Sequence, residues 1–196
     1  FLIHWTGKDI DQFYQPDWYA DHSSKTNDAA ENAYRKRLAD ILQFGLWMTS
    51  EPGFEIAGGR SPETPKCCFT ERKLSESRRH ACRYGRLGIG VKRPFLFERS
   101  GRPMAYFGFR VTSDDPLLNA CARDLQDRNL LNFFKPMNSG RTLNYDLYSE
   151  SEWRILHFRE LLAARKVIDP RDEKNAREHA YFKSLSTDAQ AKLKYL

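Results

Sequence analysis

Apolar and polar positions are patterned most tightly in two stretches. The first, Cys67 to Phe107, reads as strand, short helix, glycine-rich strand, loop and strand. Within it Cys67–Thr70 is a buried strand, Leu74–Tyr84 a short helix ending at Gly85, and Leu87–Val91 (Leu-Gly-Ile-Gly-Val) a strand whose two glycines invite close approach to the backbone. Met104–Phe109 follows as another strand. The second stretch runs from Tyr148 to Phe158 and reads as a partner of the first in one sheet. It lies within a long, bent strand expected over Tyr145–Phe158, because Ser149, Glu150, Ser151 and Glu152 interrupt the apolar alternation.

The rest of the chain is punctuated around these two. Phe1–Trp5 is a short aromatic strand that enters a loop at Thr6-Gly7, and Asp9–Tyr14 fits a helical turn. Residues 15–28 are polar and read as loop. Ala29–Phe44 carries Tyr34, Leu38, Ile41 and Leu42 at helical spacing, with Asn27 or Asp28 as cap and Gly45 at the C-cap. A short apolar segment, Leu46–Met48, follows. Residues 49–66, rich in proline and glycine, read as a long surface loop. Asp114 followed by Pro116 opens a helix expected over Leu117–Phe134, and 135–144 is loop. Asp169-Pro170 opens a charged C-terminal helix, and Ser186 or Thr187 caps a last short one. Strands and helices do not alternate strictly, so the pattern predicts an α+β fold, a mixed or antiparallel sheet flanked by helices. It divides into a core at 1–165 and a helical extension at 166–196 that packs outside the core, binds a partner or moves.

Composition narrows the class. The chain has 196 residues, 40% hydrophobic and 13% aromatic, enough for a real core. No apolar run approaches the ~20 residues of a membrane span. Cys67, Cys68, Cys82 and Cys121 have neither zinc-site nor disulfide-framework spacing. No metal is expected, and the thiols suit a cytoplasmic protein without a membrane partner. The net charge of +6 is uneven: residues 60–110 hold 13 Lys and Arg against 4 Asp and Glu, leaving the remainder at −3. Such a segment attracts nucleic acid, a phosphorylated cofactor or an acidic partner, or is a solvated face. The nucleic-acid reading puts Arg78, Arg79, Arg83, Arg86 and Lys92 on one surface.

Three groups of side chains carry candidate chemistry. His4, Trp5 and Thr6 close the first strand, where an imidazole and a hydroxyl can hold a ribose and an indole can stack on a flat ring. Thr70 ends the second strand, and His80 and Tyr84 share one helix face, as ligand contacts or as a core hydrogen-bond pair. Glu150, Glu152 and Arg154 alternate on one side of the late strand. They are an exposed charge ladder, a structural ion pair, or a site that orients a sugar hydroxyl and stabilises positive charge at an anomeric carbon.

Phe69-Thr70, His80, Tyr84-Gly85, Gly88-Ile89-Gly90, Pro103 to Tyr106 and Glu152-Trp153-Arg154, in that order, resemble the abortive-infection AbiGi family of phage-resistance and antitoxin proteins. A more distant likeness is to ADP-ribosyltransferase-like domains, with His4-Trp5-Thr6 as the opening and Glu150-x-Glu152 as the late carboxylates. The likeness implies NAD as cofactor, His4 on a ribose, Trp5 or Tyr84 on a ring, and Glu152 as the carboxylate facing the oxocarbenium-like transition state. The Ser-Thr-Ser strand of such domains is missing. The resemblance also implies a protein partner (toxin, antitoxin or phage component), and a non-catalytic regulator is the alternative to an enzyme.

Overall fold

A computed structural model describes residues 1–14, 28–51, 53, 55, 56, 59–107, 116–137 and 147–195. The expected loop at 15–27, the Asn27 cap, the Asp114 cap, the strand ends at 108–109 and 145–146, and the loop at 138–144 lie outside the described residues.

The elements follow from short apolar runs cut by turn residues. Strand β1 is Leu2–Thr6, helix α1 Lys8–Tyr14 and helix α2 Asp28–Phe44. The α2 helix stops at Gly45, whose φ of 94° suits glycine and whose N–H donates to Ile41 O at 2.8 Å. Strands β2 (Met48–Thr49), β3 (Glu55–Ile56), β4 (Gly59–Arg60) and β5 (Lys66–Thr70) come next. The stretch 49–66 therefore holds strand structure that its prolines and glycines concealed. A 3-10 turn at Leu74–Glu76 leads into α3, Ser77–Tyr84, and then β6, Leu87–Val91. Helix α4 (Arg93–Phe97), unmarked in the sequence pattern, has proline in its first turn. Strands β7 (Arg102–Pro103) and β8 (Ala105–Phe107) precede α5, Pro116–Asp124.

The single helix expected over Leu117–Phe134 is a helix, a turn and a strand. Asp127 takes the N–H of Asn129 on its side chain at 2.8 Å and starts a 3-10 turn at Arg128–Phe133, which runs into β9, Phe134–Pro136. The long strand expected over Tyr145–Phe158 is also shorter. Tyr148–Glu150 is a 3-10 turn, Ser151 sits at a φ of 46°, and among the described residues of this stretch the strand is β10, Glu152–Leu156. Helix α6 is Arg159–Ala163. The C-terminal helix opens at Ala176, not at Asp169, because Asp169 and Asp172 each cap a tight turn. It is α7, Ala176–Ser184, followed by α8, Thr187–Lys192, and β11, Leu193–Tyr195.

Helices and an antiparallel main sheet make this an α+β fold. Strand β5 is its centre. Along one edge β10 pairs with all five residues, Glu152 opposite Thr70 and Leu156 opposite Lys66. The other edge is shared: β2 meets only Lys66, and β1 meets only Thr70. Between those contacts the sheet is split. His4 crosses the split, donating Nδ1–H to Cys68 O at 2.8 Å, so a side chain stands in for a missing ladder bond. Strand β6 lies beyond β1, β7 beyond β10 and β11 beyond β2. The pair β8–β9 is parallel and forms a small separate sheet.

The two faces of the main sheet differ in chemistry. Cys67 and Phe69 on β5 and Ile155 on β10 join Leu2, Leu96, Leu161 and Val167 in an apolar core. In an antiparallel pair, residues in register share a face. The opposite face therefore presents Lys66, Cys68, Thr70, Glu152 and Arg154. A second core of Phe107, Leu118, Ala122 and Leu131 lies beside the small sheet. The segment 166–196 is built onto the core: Val167 is buried, Tyr181 stacks on Phe44 with ring centroids 3.9 Å apart, and β11 extends the sheet through β2.

Gly85 joins α3 to β6 at a φ of 106°, and a Cβ there would lie 2.4 Å from backbone atoms of Thr6, Gly7 and Lys8. Gly85→Ala is expected to cost at least ~2 kcal/mol, through both the backbone conformation and the collision. A urea-unfolding midpoint within error of wild type would contradict this packing.

Candidate functional site

The polar face of the sheet opens on a cavity of about 1010 Å³. Strand β1 supplies His4, Trp5 and Thr6; β5 supplies Lys66, Cys68 and Thr70; β10 supplies Glu152 and Arg154. Helix α3 brings His80, Arg83 and Tyr84, β9 brings Lys135, and the turn before β10 brings Glu150. The C-terminal segment closes one side with Tyr181 and Leu185.

At its floor is a buried ionic cluster. Lys135 donates to Glu150 Oε2 at 2.5 Å and also to Glu152 Oε2. Arg154 Nε donates to Glu152 Oε1 at 2.6 Å, and its Nη1 to Asn132 O at 2.7 Å. The Tyr84 hydroxyl donates to Glu150 Oε1, and Arg83 Nε stands 3.7 Å from the same oxygen. Glu150, Glu152 and Arg154 are each less than a tenth exposed. Burial alone pushes the Glu152 carboxyl up, but Arg154 and Lys135 outweigh it and hold the group at about 2. Glu152 is thus an anion throughout the neutral range. Lys135 and Arg154 are pushed up by the same carboxylates against the opposing effect of burial.

Thr70 links the cluster to the helix. Its hydroxyl donates to Glu150 O, and His80 Nε2 lies 3.4 Å from its oxygen. Burial lowers the pKa of both His80 and His4, so both imidazoles are neutral at pH 7. Cys68 lies on the same floor, its thiol pushed well up by burial and by Glu152. The Trp5 Nε1–H, buried at the cavity wall, meets no protein acceptor among the described residues. Buried indole N–H groups are normally satisfied. On the exposed face of β6, Gly88 lets the Trp5 ring lie close to the strand, since a Cβ there would come within 3.1 Å of it.

All eight residues that the sequence marks for catalysis or cofactor binding border this one cavity: His4, Trp5, Thr6, Thr70, His80, Tyr84, Glu152 and Arg154. His4 alternates with Trp5 on β1, and its ring lies beside Phe69 and 3.5 Å from Cys67 Sγ, on the apolar side of the sheet. The basic group is divided instead. Arg83 faces the cavity, Arg86 is bonded at 2.9 Å to the fully buried Asp11, and Arg78, Arg79 and Lys92 are exposed. Of the three readings offered for Glu150, Glu152 and Arg154, the exposed ladder is overturned by their burial.

Sequence reasoning missed Lys66, Asn132 and Lys135. The first ended an apparent loop and the third began one. The alternation Lys66-x-Cys68-x-Thr70 was the available signal, since it puts Lys66 on the face of Thr70. Among the described residues, no group of three or more His, Cys, Asp or Glu is placed to hold a metal ion, and no helix is long and apolar enough to cross a membrane. No family model, curated protein or solved structure matches the chain.

The cluster sets the acid stability. Glu152 titrates lower in the folded chain than its ordinary 4.5. Its contribution is therefore complete above about pH 4.5 and is lost as pH falls toward 2. The two histidines are also lowered, so the unfolded chain takes their protons first and stability begins to fall below about 6.5. Urea midpoints measured from pH 7 to pH 3 are expected to decline throughout, with a shallower fall below 4.5 in Glu152→Gln. Parallel profiles for the two proteins would contradict the assignment.

Proposed function

We propose that the chain is an ADP-ribosyltransferase-like enzyme that takes NAD into this cavity, and that it acts in a cytoplasmic phage-defence or toxin–antitoxin system of the AbiGi type. The observation that carries the reading is the convergence of Trp5, Tyr84 and Glu152, from three separate elements, on one cavity. About 1010 Å³ lies at the upper end of the range for small-molecule sites and suits a dinucleotide. The unmet Trp5 indole N–H is a donor that an acceptor atom of such a ligand can satisfy. The cavity also has an aromatic wall for a flat ring and, in His80, a neutral imidazole for a ribose hydroxyl.

In this reading His4 positions the site: its Nδ1 holds Cys68 O across the split, and its ring lies against Phe69 with centroids 5.8 Å apart. The Glu152 carboxylate, held ionised, faces the ribose. Both of its oxygens carry a cation, yet each retains lone-pair capacity for a hydroxyl. The bond from ribose C1′ to the nicotinamide nitrogen breaks, and the electron pair leaves with nicotinamide. A nucleophile bonds to C1′ and gives its proton to solvent; water as that nucleophile makes the reaction a hydrolysis. Fixed negative charge beside C1′ lowers the barrier, because it is already oriented when positive charge develops there.

A second reading is favoured by the closure of the same carboxylate. Lys135 and Arg154 occupy Glu152 as in a structural ion pair, which suits a non-catalytic regulator that binds a toxin, antitoxin or phage component. The two readings separate in one experiment: NAD binding by calorimetry and nicotinamide release, for wild type and Glu152→Gln. The enzyme reading expects binding by both proteins, with release falling about 100-fold in the variant. Binding without turnover in wild type would shift the assignment to the regulator. No binding at millimolar NAD would overturn the nicotinamide reading.

A further inference from the structure

Lys66 differs from the other cations of the cavity floor. Its side chain is 5% exposed, yet its nearest partners are distant: Glu51 at 3.5 Å and Asn132 Oδ1 at 3.4 Å. Glu51 is itself 60% exposed, so water shares its charge. By contrast, Lys135 and Arg154 hold carboxylate oxygens at 2.5 and 2.6 Å. A buried ammonium is costly without a close anion. The environment of Lys66 is nevertheless fixed. Asn132 is 3% exposed, and three acceptors surround its Nδ2, Pro62 O at 3.0 Å, Thr64 Oγ1 at 3.1 Å and Asn129 O at 3.1 Å, sharing its two N–H groups. These bonds orient the amide oxygen toward Lys66.

We infer that Lys66 is the anion-recognition residue of the cavity and that it takes a phosphate group of the ligand. The inference rests on the proposal that the cavity holds a nucleotide, and it adds which end of the cavity holds the charge. Lys66 and Thr70 stand at opposite ends of β5, about 13 Å apart at their Cα atoms. Glu152 is in register with Thr70, so the phosphate end lies away from the Glu150 and Glu152 carboxylates, which would repel it. The Glu51 carboxylate, 60% exposed and 3.5 Å from Lys66, is the one the phosphate displaces toward solvent.

The test is calorimetry of inorganic pyrophosphate and of ADP-ribose with wild type, Lys66→Gln and Lys66→Arg. Lys66→Gln is expected to weaken both probes by about 10-fold or more, the scale of one charge-assisted contact, while Lys66→Arg retains most of the affinity. Lys66→Met supplies a readout independent of binding. Because it removes a buried, weakly paired charge, it is expected to melt at or above the temperature of the unliganded wild type and to lose the upward shift that ADP-ribose gives wild type. Equal affinities in wild type and Lys66→Gln would overturn the inference, as would no binding of either probe to wild type or a marked drop in the Lys66→Met melting temperature. Pyrophosphate binding that depends on Lys66, in a protein that neither binds nor cleaves NAD, would support the anion site while removing the NAD reading.

Discussion

The Lys135–Glu152 contact is the constraint on which the rest of the site depends. Lys135 belongs to the small sheet and Glu152 to the main one, so their pairing fixes one sheet against the other. Backbone bonds reinforce the join: Glu152 N–H donates to the Tyr106 hydroxyl at 3.0 Å, and Met104 N–H to Glu152 O at 2.9 Å. A buried ion pair is a poor source of net stability, because desolvation offsets most of the Coulombic gain. Its value here is positional. Breaking one partner strands the other in a nearly dry site, so the arrangement tolerates little drift.

The split in the main sheet explains why a cavity exists at all. A continuous strand along the second edge of β5 would leave no need for His4 to reach Cys68 O. Instead β1 and β2 meet only the two ends of β5, and the His4 imidazole reaches into the interval. The apolar side of the sheet is filled by Phe69, Ile155 and Leu96, so space remains on the charged side. The C-terminal segment completes that side through Tyr181. The ring rests on Phe44, and burial with the nearby Asp40 pushes its hydroxyl up to about 12.

Much of this was legible in the sequence, for local reasons. Cys67–Thr70 and the end of Tyr148–Phe158 are short apolar runs that the pattern puts in one sheet, and β5 and β10 are paired there. Thr70 and Glu152 were found at the ends of those runs, His4, Trp5 and Thr6 at the end of the first strand, and His80 and Tyr84 by their shared helix face. Other features depended on partners distant in sequence. Nothing near Lys135 shows that it faces Glu150 and Glu152, and Lys66 was hidden by the prolines before it. The helix expected over Leu117–Phe134 ends at Asp124, and Asp127 starts a separate turn through its side-chain bond to Asn129. The basic residues of 60–110 are close in sequence but divided in space, because Arg86 is committed to Asp11.

The most direct test of the central claim, that the polar face of the split sheet is a nucleotide site, is a crystal structure of the protein with ADP-ribose at saturating concentration. The ligand is expected over β5 and β10, with an acceptor on Trp5 Nε1, a ribose facing Glu152 and a phosphate within hydrogen-bond reach of Lys66. ADP-ribose bound elsewhere, or a cavity left without it at saturation, would contradict the account.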